Sequence, residues 1–200
     1  MRLNSLLASV AVAALTMLGA SGASAAVIDF ESTALGTYSS LPFGGVTISF
    51  TGGSGNFEVQ SQTPDLPPTG HVLISYFTNP GSSPFQASFS ALGITSVSID
   101  VSDYSVSDVD DVHLEAYDAA NVLLGSDAFL IPASGPGTTL SVSTASPISY
   151  VLWWEEGDFA GAVYWDNLTF NATAVPEPAT LVLFGAGLAG LAARRRRKVK

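Results

Sequence analysis

Val112-His113-Leu114-Glu115-Ala116-Tyr117, then Asp118-Ala119-Ala120-Asn121, then Val122 through Leu130: this stretch reads as a strand, a turn and a second strand. Its first run alternates apolar and polar side chains. A period of two gives a pleated ribbon one dry face and one wet face. The Asp-to-Asn tetrapeptide has the residue types that accept tight-turn geometry. On the same parity His113 faces solvent between Val112 and Leu114.

Similar runs fill the chain on both sides. Strands are predicted over 27–31, 46–51, 57–60, 71–77, 85–90, 94–101, 139–142, 149–154 and 162–170. Clusters of Gly, Pro, Asn and Ser separate them. Gly52-Gly53-Ser54-Gly55-Asn56 is a second expected hairpin turn, and 64–70, rich in proline, is a longer surface loop. No amphipathic helix of useful length lies between the ends, and no repeat of solenoid or propeller period is present. Short strands broken by frequent turn signals define an all-β chain, a β-sandwich of jelly-roll-like build. The expected organisation is a signal peptide over 1–25, one acidic domain over 26–174 and a sorting segment over 175–200.

The charge pattern is extreme. All seven basic residues are Arg2, Arg194, Arg195, Arg196, Arg197, Lys198 and Lys200. The span from Ala26 to Ala193 therefore has no Lys or Arg and holds all 17 acidic residues, so its formal charge is 0 − 17 = −17. Its carboxylates must be solvated, hydrogen-bonded, protonated or bound to metal. No Lys or Arg in this span is available to meet phosphate, which argues against nucleic-acid binding and against ordinary phosphoryl transfer. Self-repulsion costs such a domain stability, and a divalent cation would relieve it. There is no cysteine, so no disulfide can help.

Two constellations could carry chemistry. The densest acidic cluster is Asp100, Asp103, Asp108, Asp110 and Asp111. Calcium takes six to eight oxygens, and closely spaced Asp on a turn can supply several. Asp108, Asp110 and Asp111 are thus candidate calcium ligands on a turn between strands, though the EF-hand Gly and terminal Glu are missing. The other constellation is aromatic: Trp153, Trp154, Tyr164 and Trp165. On a strand Trp153 and Trp154 point to opposite faces. Trp154 and Trp165 are the candidate platforms for stacking a sugar ring, with Glu155, Glu156 and Asp158 as hydroxyl acceptors. Core packing is the competing reading for these large side chains.

Catalytic motifs are weak. His71 and His113 are the only histidines, and there is no Gly-x-Ser-x-Gly turn and no zinc spacing. Glu155 and Glu156 are adjacent and diverge on a strand. A glycosidase would need a carboxylate pair from distant strands, for example Glu58 with Glu115.

The two ends are more explicit. Arg2, the apolar run from Leu6 to Leu18, and Ala23-Ser24-Ala25 form the charged start, apolar core and small-x-small cleavage pattern of a secretory signal. Export through the Sec machinery follows. At the other end stands Pro176-Glu177-Pro178. An apolar segment follows with Leu181, Val182, Leu183, Phe184, Gly185, Gly187, Leu188, Gly190 and Leu191, and Arg194 to Arg197 close it. The prolines hold the approach extended, the apolar segment is expected to enter a bilayer as a helix, and the arginines to stay on the cytoplasmic side. The run from Thr180 to Ala193 is short against the ~20 residues of a usual span, which suits a temporary anchor.

The order of Pro-Glu-Pro, Gly-rich apolar helix and Arg cluster resembles the PEP-CTERM sorting signal of Gram-negative bacteria. The resemblance implies a membrane-embedded cysteine peptidase, an exosortase, as partner. Pro176, Glu177 and Pro178 would be recognised, Leu181 to Ala193 would anchor, Arg194 to Arg197 would stop the segment, and the final location would be the cell surface or the medium. It also implies a link to exopolysaccharide and biofilm. The body resembles carbohydrate-binding jelly rolls more loosely, through Asp29-Phe30-Glu31 and Tyr164-Trp165-Asp166-Asn167-Leu168-Thr169-Phe170. That likeness implies a structural calcium shared by Glu31 and Asp166. The expected function is a non-catalytic surface or matrix protein associated with exopolysaccharide. The alternatives are a secreted glycan-active enzyme and an ice- or surface-adhering module, the latter disfavoured by scattered threonines.

Overall fold

The computed structural model describes residues 24–51, 55–62, 70–75, 83–90, 93–103, 109–133, 136–156 and 163–172. All of them fall in one compact unit, Ala23–Thr173. The signal segment, the sorting motif and the anchor over 181–191 lie outside the described residues.

The regular structure of the described residues is entirely strand. In chain order the strands are β1 Ser24–Ile28, β2 Gly36–Tyr38, β3 Ser40–Phe43, β4 Val46–Phe50, β5 Phe57–Gln62, β6 Gly70–Ile74 and β7 Phe85–Phe89. They continue as β8 Ser96–Asp103, β9 Asp110–Tyr117, β10 Leu123–Ile131, β11 Thr138–Ser143, β12 Tyr150–Glu156 and β13 Val163–Ala172. Two antiparallel sheets result. One runs β11-β8-β13-β6-β5-β2, with β1 also on β13; the other runs β10-β9-β12-β7-β4-β3. This is a β-sandwich, as the alternating runs predict.

Each sheet turns one parity of residues inward. Val97, Ile99 and Val101 of β8 meet Val112, Leu114 and Ala116 of β9, Val151 and Trp153 of β12 and Trp165 of β13 in a single core. Phe50, Phe57, Phe85, Trp153 and Trp165 form a chain of ring contacts across it, with centroid separations of 4.7–6.5 Å. Rings at these separations in tilted or offset geometry add dispersion to the burial of their area. A domain without disulfides depends on such a core.

The predicted hairpin at Asp118 forms between β9 and β10. Asp118 Oδ1 accepts the Ala120 and Val122 amides at 2.8 and 2.9 Å, and Asn121 takes φ 62°. Asn is one of the few residues that accept the left-handed region. The second expected hairpin is not one: β4 and β5, which flank Gly52–Asn56, belong to different sheets. The chain therefore passes from one sheet to the other between β4 and β5. Strands β2 and β3 were not expected. Each is three or four residues long at a sheet edge, and their Gly36 and Pro42 mask a strand pattern.

The first and last strands pair directly, Ala26 with Phe170 and Ile28 with Leu168. Ser24 and Ala25 already belong to β1, so cleavage after Ala25 would leave that strand three residues, Ala26 to Ile28.

Candidate functional site

The outer face of the six-stranded sheet is built by the residues that alternate away from the core. On β9 these are Asp111, His113, Glu115 and Tyr117; on β12 they are Tyr150, Leu152, Trp154 and Glu156. The register lines them up: Tyr150 opposite Tyr117, Leu152 opposite Glu115, Trp154 opposite His113 and Glu156 opposite Asp111. The rows continue over β7 and β4, Leu152 to Gln86 to Ser49 and Tyr150 to Ser88 to Thr47.

Two aromatic stacks stand on this face. The Tyr117 and Tyr150 rings lie 5.0 Å apart at 6°, and His113 and Trp154 lie 4.9 Å apart at 14°. A carboxylate holds each one. Tyr117 Oη donates to Glu115, Trp154 Nε1 donates to Glu156 Oε1 at 3.0 Å, and His113 Nε2 sits 3.3 Å from Asp111 Oδ1. The hydrogen bond to Glu115, then burial, then the charge of Glu115 push the Tyr117 hydroxyl up to about 12. Gln86 donates to Ser88 at 2.8 Å beside them. The face therefore presents flat rings with polar edges, bordered by hydrogen-bonding groups. That combination suits a sugar polymer, whose ring faces are apolar and whose rims carry hydroxyls.

Of the two predicted platforms, Trp154 is here and Trp165 is not. Trp165 is 1% exposed and packs against Trp153 in the core. Strand β13 is central and buried on both sides, with Val163, Tyr164, Trp165 and Asp166 all covered. Neither parity of that stretch reaches solvent, so Trp165 cannot offer a stacking surface. Of the expected acceptors, Glu156 is exposed on the face, Glu155 is buried on the inner side, and Asp158 lies outside the described residues. His113 faces solvent as parity predicts; Tyr117, Tyr150 and Gln86 also belong to the site and were not singled out. Parity along β9 and β12 could have found the two tyrosines, but the neighbours across strands could not be read from one sequence.

A second polar site lies on the other sheet, where β13 meets β8 and the end of β1. Asp166 stands opposite Asp100. Asp166 is 3% exposed, and its carboxyl is raised to about 7. Burial is the main cause; the Asn167 amide opposes it, and the Glu31, Asp100 and Asp29 carboxylates add to it. Among the described residues, neutral donors hold the group together. Glu31 accepts the His71 amide at 3.0 Å, Asp29 accepts the Glu31 amide at 3.2 Å, Asp166 accepts the Asn167 amide at 2.7 Å, and Asp100 accepts Thr139 Oγ1 at 2.6 Å and Asn167 Nδ2 at 3.0 Å. Gly70 has φ +102°, and a Cβ on it would lie 1.7 Å from Glu31 Oε1, so the glycine makes room for that carboxylate.

The predicted pair Glu31 and Asp166 is thus brought within electrostatic reach. Its donors are hard oxygens of the kind calcium takes. Among the described residues, however, no three His, Cys, Asp or Glu side chains form a ready metal group. The other predicted calcium turn is corrected: Asp110 and Asp111 are the first residues of β9, Asp110 inside the sandwich and Asp111 on its outer face. Adjacent strand residues point apart and cannot share an ion. Asp108 lies outside the described residues.

The possible acid–base pair also separates. Glu58 is on the outer side of β5 in one sheet and Glu115 on the outer side of β9 in the other, so the sandwich stands between them.

An arabinose-bound α-L-arabinofuranosidase, MgGH51, has a similar fold: 14% identity, TM-score 0.50, 80% of this chain and 28% of that one. This chain therefore spans little more than a quarter of that enzyme's length. Similarity also extends to the K3 cleaved adhesin domain of Lys-gingipain from Porphyromonas gingivalis W83, at 16% identity and TM-score 0.46, covering 74% and 98% of the two chains. A family 29 carbohydrate-binding module matches at 13% identity and TM-score 0.39, covering 78% and 99%. No curated protein matches by sequence. No helix among the described residues is long and apolar enough to cross a membrane. The C-terminal segment is matched directly: residues 174–197 fit the PEP-CTERM protein-sorting motif, which implies processing by an exosortase.

Proposed function

We propose that the protein is a non-catalytic coat or matrix component that associates with the exopolysaccharide of its own cell. In this reading the Sec machinery exports the chain and Leu181 to Leu191 hold it briefly in the inner membrane, with Arg194 to Arg197 on the cytoplasmic side. Exosortase then acts near Pro176-Glu177-Pro178, and the sandwich reaches the surface or the medium. The observation that carries the glycan part is the outer face of the six-stranded sheet, with two aromatic stacks in register on β9 and β12. Stacking on aromatic rings is tolerant of the exact sugar, which suits a matrix polymer.

Calcium is part of the proposal. Glu31 and Asp166 would hold it, with Asp100 and Asp29 beside them. The ion would supply positive charge where no Lys or Arg lies between Ala26 and Ala193. It would tie the turn after β1 to β13 and so close the sandwich. The approach of the Glu31, Asp100 and Asp29 carboxylates to Asp166 supports this.

The sorting part is tested in cells. Replacing Pro176, Glu177 and Pro178 with alanine should leave the protein in the inner membrane fraction; release at the normal rate would sink that part. The glycan part is tested by co-sedimenting the protein with the polysaccharide of the producing strain. Binding that Trp154→Ala reduces is expected, and binding indifferent to that change would count against the face.

A further inference from the structure

The geometry and charge of the outer face point to a particular occupant: we propose a polysaccharide that carries free amino groups. This rests on reading the face as the glycan surface, and it adds the chemical class of the glycan.

Three carboxylates, Asp111, Glu115 and Glu156, share the face with the two stacks. Each touches the polar edge of an aromatic residue, at His113, Tyr117 and Trp154 respectively. An ammonium group is drawn to the π face of Trp or Tyr by the ring quadrupole and to a carboxylate by its charge. Both attractions occur here side by side. No Lys or Arg of the sheet competes with the ligand, because none occurs between Ala26 and Ala193.

The same charge count ranks the possible glycans. A polyuronate or sulfated polymer meets a domain whose residues 26–174 carry a formal charge of 0 − 16 = −16, with no Lys or Arg to pair with, and is repelled. A neutral glucan gains stacking and hydroxyl contacts only. An amino polymer gains these and the ionic contacts as well. Length fits too. Tyr150 and Trp154 are four residues apart on β12, about 13 Å at the strand rise. One extended polymer lying along β12 therefore reaches both stacks, with Glu115 and Glu156 beside it on the same two strands.

The test uses the full chain held in detergent, at mildly acidic pH and ~0.15 M salt so that unspecific attraction is screened. The probes are a partially deacetylated polymer of N-acetylglucosamine, its fully acetylated counterpart, a neutral glucan and a polyuronate. The deacetylated polymer should bind best, and the polyuronate should show no binding that Trp154→Ala reduces, since its only Lys and Arg partners are Arg2 and those of the tail at Arg194–Lys200. Trp154→Ala and Glu156→Gln should each weaken binding of the deacetylated polymer by about tenfold. Glu58→Gln makes the same charge change on the opposite sheet and should leave binding near the parent value.

If Glu58→Gln weakens binding as much as Glu156→Gln, the attraction belongs to the whole molecule's charge and the proposal fails. If the acetylated polymer or the neutral glucan binds as tightly, and Trp154→Ala reduces that binding, the face is a glycan surface without amino selectivity. The inference then falls while the reading beneath it stands. If no polymer responds to Trp154→Ala, both fall. Circular dichroism of each variant separates loss of binding from loss of fold.

Discussion

The two outer faces of the sandwich are made from the same materials and used differently. On the six-stranded sheet the outward aromatics, Trp154, Tyr117 and Tyr150, remain partly exposed and stack in pairs across β9 and β12. On the seven-stranded sheet the outward Tyr164 is covered and clusters with Val72 and Ile74, and the neighbouring Asp166 is buried among other carboxylates. One face leaves its rings partly open to solvent. The other spends its surface on packing and concentrates negative charge. An aromatic in a strand is thus not a binding residue by type; what lies over its face decides.

The three tryptophans sharpen this contrast most. Trp153→Ala and Trp165→Ala remove fully buried rings and should each cost about 3–5 kcal/mol, measured by denaturant unfolding. Trp154→Ala loses one exposed stack and should cost no more than about 1.5 kcal/mol, while it lowers glycan binding. Similar destabilisation from all three would erase the distinction between core and face.

Charge gives the next test. The folded Asp166 carboxyl is raised to about 7 from an ordinary 3.8. The folded state therefore holds this proton more tightly than the unfolded chain does. In EDTA, the contribution of this group to stability should grow as pH falls from 7 toward 4 and stay flat above 7. Asp166→Asn should remove that slope and raise the metal-free melting temperature at pH 8. If calcium binds there, it should raise the melting temperature of the parent at pH 8 more than at pH 5. A melting temperature unchanged by EDTA would remove calcium from the account. Gly70→Ala asks the same of the Glu31 carboxylate. Its positive φ and the close approach of Oε1 should cost about 1–3 kcal/mol and abolish any calcium response.

The smallest expected effect is on the binding face. Tyr117 should ionise only near pH 12, and Glu115→Gln should bring its titration down toward that of an ordinary tyrosine, followed by tyrosinate absorbance. An unchanged titration would mean that Glu115 does not hold the ring.

Much of the fold was legible because a period of two is a local signal. All eleven expected strands occur, with ends shifted by a few residues. β2 and β3 were hidden by Gly36 and Pro42 and by their length. Which sheet a strand joins was not legible, since pairing is made by contacts far apart in sequence; hence the misread turn at Gly52–Asn56. The site was half legible. Parity put Trp153 and Trp154 on opposite faces, and in the structure Trp153 is the inward one. It failed for Trp165, because a strand buried on both faces carries no alternation, and for Asp110 and Asp111, because a dense acidic run looks like a loop even where it begins a strand. The approach of Asp100 to Asp166 and the stack of His113 on Trp154 depend on register, which one sequence does not contain.

The most direct measurement of the central claim is co-sedimentation of the full chain with the polysaccharide of the producing strain, comparing the parent with Trp154→Ala. The account predicts that the parent sediments with the polymer and that the variant, still folded, largely stays in solution. Equal sedimentation of the two would contradict it.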